Sequence, residues 1–131
     1  MPLVTPDTSL AEDLSPIEPG TYPARIDTCG ADKSKEKGTN MIIPVFKVQV
    51  NGKDRTRKSY LVIEGPGAWN FDQLLRACHM VELADKYRDP SVQPKPALNT
   101  DVLLNQKLNV VIEEEMYNNQ KRDKISGFLA A

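Results

Sequence analysis

A chain of 131 residues with 40% hydrophobic and 27% charged side chains can close one core without staples, so two domains and wholesale disorder are both excluded. Its apolar runs are too short to cross a bilayer, its first residues have neither a basic start nor a signal-length apolar run, and Cys29 and Cys78 stand in no pairing motif. The expectation is a reduced, cytoplasmic protein with no membrane partner.

The net charge of −1 is unevenly spread. Residues 1–21 carry Asp7, Glu12, Asp13 and Glu18 with no Lys or Arg, whereas residues 32–58 carry eight bases against three acids, a local balance of +5. A polyanion within a Debye length, about 8 to 10 Å, would feel that local balance rather than the total.

In chain order, residues 1–20 hold Pro2, Pro6, Pro16, Pro19 and Gly20 with little periodicity, and read as an extended acidic arm ahead of a domain over 21–131. "TYPARIDTCG" alternates, with Tyr22, Ala24 and Ile26 on one side and Arg25 and Asp27 on the other, as a half-buried strand does. After the charged loop "ADKSKEKGTN", "MIIPVFKVQV" is a second strand, Asn51-Gly52 a two-residue hairpin turn, and "KDRTRKSYLVI" the returning strand, broken by "EGPG". The period then changes. Phe71, Leu74, Leu75 and Cys78 fall at i, i+3, i+4 and i+7, which predicts one amphipathic helix from about Phe71 to Met80, with Asn70 and Gln73 as a capping box. "RDPSVQPKPALN" reads as a long irregular connection, "TDVLLNQ" as a short helical turn capped by Thr100, "KLNVVIEEEMY" as a strand, "NNQKRD" as a turn and "KISGFLAA" as the last strand. No βαβ alternation appears. The predicted class is mainly β, laid out as a five-stranded OB-like barrel with one helix between strands three and four, and a general small α+β sheet is the alternative.

With a two-residue turn, Val50 faces Lys53, Val48 faces Arg55, Phe46 faces Arg57, and the register continues to Ile42 opposite Leu61. Ile43, Val45, Lys47, Thr56, Lys58, Tyr60 and Val62 then share one face, while Arg55 and Arg57 turn inward, where they stay wet only if the hairpin projects beyond the barrel. A three-residue turn would shift the pairing by one and still keep Lys58 with Tyr60. The candidate nucleic-acid-binding set is Lys47, Arg55, Arg57, Lys58 and Tyr60. The cations neutralise phosphates, and the ring offers a base a stacking face worth about 1 to 3 kcal/mol. Against this stand a hairpin tip kept basic to discourage edge pairing and a tyrosine at the rim of the core. Trp69 is expected to lid the core rather than stack a base. Glu113, Glu114 and Glu115 would repel phosphates, so their strand is expected away from the site or against a partner chain.

No enzyme is expected, and no catalytic residue, cofactor or metal. Cys78 and His79 are adjacent on the predicted helix and diverge by about 100°. The chain has no phosphate loop, GxGxxG, CxxC or HExxH.

Taken in order, "EPGTYPARIDTC", the Lys-rich loop closing at Gly38 and Asn40, "VFKVQVNG", "RKSYLVI", "WNFDQLLRACHM" and "DVLLNQKLNVVIEEEMYNNQKRDKISGF" resemble the small bacteriophage proteins catalogued as a domain of unknown function, the DUF669 type, over roughly Pro19 to Phe128. The resemblance implies an OB-like single-stranded DNA-binding protein that coats DNA without sequence preference in phage replication or recombination. Its further partners would be phage or host replication and recombination proteins, or a second copy in a homodimer. The rival expectation is a protein-interaction or assembly module without nucleic acid affinity, docking through edge strands and Glu113 to Glu115. Many single-strand binders end in an acidic tail, whereas here the acidic segment is at the start. Residues 7–18 are therefore a candidate competitor for the basic hairpin, or a partner-binding arm.

Overall fold

A long first strand, β1 (Gly20–Lys33), organises the sheet because it pairs on both sides. The computed structural model describes residues 2–9, 11, 15–34 and 38–131; Glu12 and Asp13 of the acidic arm and Lys35, Glu36 and Lys37 of the basic loop lie outside the described residues. β2 (Asn40–Val50) runs antiparallel along one side of β1, and β5 (Lys107–Tyr117) along the other as far as Arg25. β3 (Lys53–Lys58) and β4 (Leu61–Val62) both pair with β2, and β6 (Gln120–Ala130) pairs with β5. The result is a six-stranded antiparallel sheet in the order β3-β2-β1-β5-β6, with β4 also on β2. It is not closed: no ladder joins β3 to β6 among the described residues.

Pro44 explains why one returning strand is divided in two. Val45 pairs with Lys58 and, three residues further along each chain, Ile42 pairs with Leu61, so the register does not slip. Between them the Ser59 amide donates to the Pro44 carbonyl at 3.1 Å, but Pro44 has no N–H to return the bond. The hairpin register is the one a two-residue turn requires. Asn51 and Gly52 have φ of 53° and 78°, the left-handed pair of a type I′ turn, which Asn-Gly adopts at little cost.

The inward face carries the core. Ile26, Phe46, Val48, Leu108, Val110 and Ile112 alternate from the strands, and Leu74, Leu75 and Leu103 come from the connection between β4 and β5. Phe46 and Phe128 stack at 5.5 Å between ring centres, which ties β2 to β6 across the interior. Ile17, ahead of β1, is 3% exposed and belongs to the same cluster.

The helical region departs from expectation at several points. α1 spans Trp69–Ala77, after a 3-10 turn over Pro66–Ala68, so Asn70 lies inside the helix and makes no capping box with Gln73. The Gln73 side chain instead accepts from the Phe128 amide at 3.1 Å and satisfies a donor of edge strand β6. A second helix, α2 (Val81–Arg88), occupies sequence with no strong apolar stripe, for it buries Ala84 alone. It is held to the core by Ala84 and by half-buried Leu83 and Tyr87, the Tyr87 ring lying 6.0 Å from that of Phe71, and Arg76, which bonds Asp72 within α1 at 3.0 Å, also reaches Asp85 of α2 at 2.9 Å. The later turn, Thr100–Leu103, is capped by the Asn99 side chain, which accepts from the Asp101 amide, and not by Thr100.

Candidate nucleic-acid interface

The ladder registers turn the outer face of the sheet into a grid. In one row Thr56, Lys47, Arg25 and Lys107 lie side by side on β3, β2, β1 and β5. In the next row Lys58, Val45 and Thr28 are neighbours. In the third, Ile43 pairs with Gly30, and the unbroken β3–β4 register puts Tyr60 on the other side of Ile43. Neighbouring strands are about 4.8 Å apart and alternate residues along a strand about 6.7 Å apart. The patch therefore measures roughly 14 Å in each direction.

Within it, Lys58 and Tyr60 form a pair. The Lys58 Nζ lies 5.6 Å from the centre of the Tyr60 ring, inside the range of a cation–π contact, and the ring itself is 59% exposed. Lys47 donates to the Thr56 hydroxyl at 2.7 Å, which holds its ammonium beside the neighbouring strand β3. Arg25 pairs with Asp27 at 3.2 Å and Asp54 at 3.7 Å, so the four cations of the patch are opposed by two nearby carboxylates. Val45 and Ile43 supply a half-buried apolar floor. Arg25 and Lys107 are absent from the set drawn from the sequence, because their nearness to Lys47 is created by pairing between strands distant along the chain. The alternation in "TYPARID" marks Arg25 as outward-facing, and that is the only signal the sequence carries for it.

Arg55 and Arg57 occupy the opposite face, as parity requires, and they are engaged there. Arg55 is 7% exposed. Both guanidinium groups donate to the Ser15 carbonyl, Arg57 at 3.2 Å. Arg57 also holds Asp123 of β6 in a two-pronged pair, Nε to Oδ1 at 2.8 Å and Nη2 to Oδ2 at 2.9 Å, and Asp123 accepts the Ile17 amide at 2.7 Å. Ser15 to Ile17 thus bridge the two edge strands that no ladder joins. Burial works against the charge on Asp123, but the bonds from Arg57 and Ile17 and the nearby Arg57 and Arg55 charges outweigh it and hold its pKa below the ordinary 3.8.

Trp69 is not the lid of the core. It is 59% exposed at the start of α1, a ridge between one groove that includes Phe71 and Tyr87 and another that includes Phe128 and Leu129. Two residues of the acidic run are paired within their own hairpin, Glu114 with Lys121 at 3.5 Å and Glu115 with Arg122 at 2.9 Å. Cys78 is buried and Cys29 half-buried, and burial pushes each thiol up to about 11, so both are protonated at neutral pH. His79 is exposed, with φ of 61° at the end of α1. Among the described residues no group of three or more His, Cys, Asp or Glu side chains could hold a metal ion, and no helix is long and apolar enough to cross a membrane. Compared with known proteins, the chain matches no family model and no curated protein.

Proposed function

We propose that the protein binds single-stranded DNA along the outer face of its sheet, without sequence preference, and coats it in phage replication or recombination. The observation that carries the reading is the exposed Tyr60 ring under the Lys58 ammonium, set beside the row of Lys47, Arg25 and Lys107. Phosphates need mobile cations and unpaired bases need an exposed π-face, and this patch offers both within the span of a few nucleotides. Lys47, Lys58 and Tyr60 remain in the contact set and Arg25 and Lys107 join it. Arg55 and Arg57 hold the N-terminal arm and the edge strands instead.

The barrel is part of the same proposal. If β3 and β4 are counted as one strand interrupted at Pro44, the sheet has five strands in an OB-like order, with the helices between the third and fourth. Ser15–Ile17 and the Phe46–Phe128 stack would complete it where no strand ladder does.

Fluorescence anisotropy of a labelled dT oligomer, titrated at low and moderate salt with a duplex competitor, tests the reading. Salt-sensitive binding that duplex fails to displace is the expected result. No binding at low salt would overturn it in favour of a non-catalytic assembly module.

A further inference from the structure

Gly30 lies well inside the fourteen-residue strand β1, where a glycine weakens the strand and has to be explained. The usual structural explanations fail. Its φ is not positive, so the backbone there suits any residue, and a Cβ built at Gly30 would meet nothing within 4 Å, so no neighbour among the described residues excludes a side chain. The ladder irregularity in β1 falls between Ile26 and Thr28, not at Gly30. Bare backbone is thus left open on this face, and its surroundings indicate what suits it. Gly30 is exposed and pairs with Ile43. Ile43 has Tyr60 on its other side, with Lys58 above that ring. β5 pairs with β1 only as far as Arg25, so no β5 residue stands beside Gly30.

We infer that Gly30 is the floor of a recess for one unpaired base, which stacks on the Tyr60 ring with its edge over Gly30 and Ile43, while the flanking phosphates meet Lys58 and Lys47. The inference rests on the single-strand reading and adds to it the place where a base is held. It also supplies a physical reason for preferring single strands: a base inside a duplex is stacked on both faces and cannot stack on the ring. Any side chain at position 30 would stand where the base lies, which accounts for the glycine that the fold itself does not need.

The opposite effects expected on stability and on binding make Gly30→Val a sharp test. Valine suits an extended, unobstructed strand position, so its melting temperature should equal or exceed that of the original chain. Affinity for a dT oligomer should fall about tenfold, the equivalent of losing one stacked base. Thr21→Val, on the same strand and face but outside the patch, should bind as the original does. Tyr60→Ala should also cost about tenfold, and the double variant should be little worse than either single one, because both remove the same stacked base.

Two-dimensional amide spectra of the unaltered protein provide a measurement that needs no substitution: Gly30 and Ile43 should shift on adding dT. If the original chain binds dT and folded Gly30→Val binds equally well, or the Gly30 amide stays still while that of Lys58 moves, the recess is refuted and the single-strand reading stands. Additive losses in the double variant would likewise refute a shared recess. If the original chain does not bind dT at low salt, the reading itself falls and the recess falls with it.

Discussion

Arg57 and Lys58 are adjacent in sequence and do opposite things, because successive side chains of a strand face opposite sides of the sheet. Lys58 stands in solvent over Tyr60, whereas Arg57 is sealed against Asp123 with side-chain exposures of 18% and 7%. Lys58→Gln is expected to lower the slope of log affinity against log salt by about 0.7, the contribution of one phosphate contact on a single strand. Arg57→Gln should leave that slope unchanged in folded protein. Asp123→Asn should destabilise the fold by about 3 kcal/mol, since it leaves the Arg57 charge enclosed without its counter-ion, and urea unfolding measures this directly. The pH dependence follows from the depressed pKa of Asp123. Its contribution is fully present above the unfolded carboxylate value near 4, and is lost as pH falls through the lower folded value. The stability difference between the original chain and Asp123→Asn should therefore be constant at neutral pH and shrink below about pH 4.

Among the elements, the N-terminal arm divides at Ser15. Residues 2–9 are exposed, whereas Ser15 and Ile17 are bonded into the gap between β3 and β6 and Ile17 is buried in the core. Removal of residues 1–9 should leave the melting temperature unchanged. Removal of residues 1–19 should cost several kcal/mol, because it uncovers apolar surface under Ile17 and strips Asp123 of a donor. Circular dichroism melts of the two truncations separate these outcomes. α1 packs against the core and the edge of the sheet, with Leu74 and Leu75 fully buried and Gln73 meeting β6. Leu74→Ala is expected to cost about 3 kcal/mol in a chemical denaturation curve, the usual price of a large-to-small change at a tightly packed site.

At the scale of the molecule, charge is sorted by the two faces and ends of one sheet. The outer face gathers Lys47, Lys58, Arg25 and Lys107 from four strands, and Glu114 and Glu115 of β5 are held by Lys121 and Arg122 at the far hairpin. A net charge of −1 is thus compatible with attraction of a polyanion to one patch, since each group is screened beyond a Debye length. Lys107→Glu tests the extension of the path across β1 to β5. It should weaken dT binding at low salt by several-fold, and the loss should fade at high salt, because the term it removes is electrostatic.

The presence and order of the strands, the Asn51-Gly52 turn and the burial parity of the β2–β3 hairpin were legible in the sequence, whereas the register at that turn was one of two that the sequence allowed, and the last strand starts at Gln120, inside the stretch 118–123 expected as a turn. What was legible depends on interactions between residues near one another along the chain: alternation of apolar side chains, and a turn whose φ values Asn and Gly tolerate. The main run of α1 was legible for the same reason, from its apolar spacing. Tertiary structure alone decided that the sheet stays open between β3 and β6, that Ser15–Ile17 bridge the gap, that α2 exists, and that Trp69 is exposed. It also decided that Arg55 and Arg57 face carboxylate and carbonyl groups while Arg25 and Lys107 come to lie beside Lys47. Those outcomes turn on contacts between residues far apart in the chain, such as Arg57 with Asp123. Local pattern says which way a side chain points, and only the assembled sheet says what it finds there.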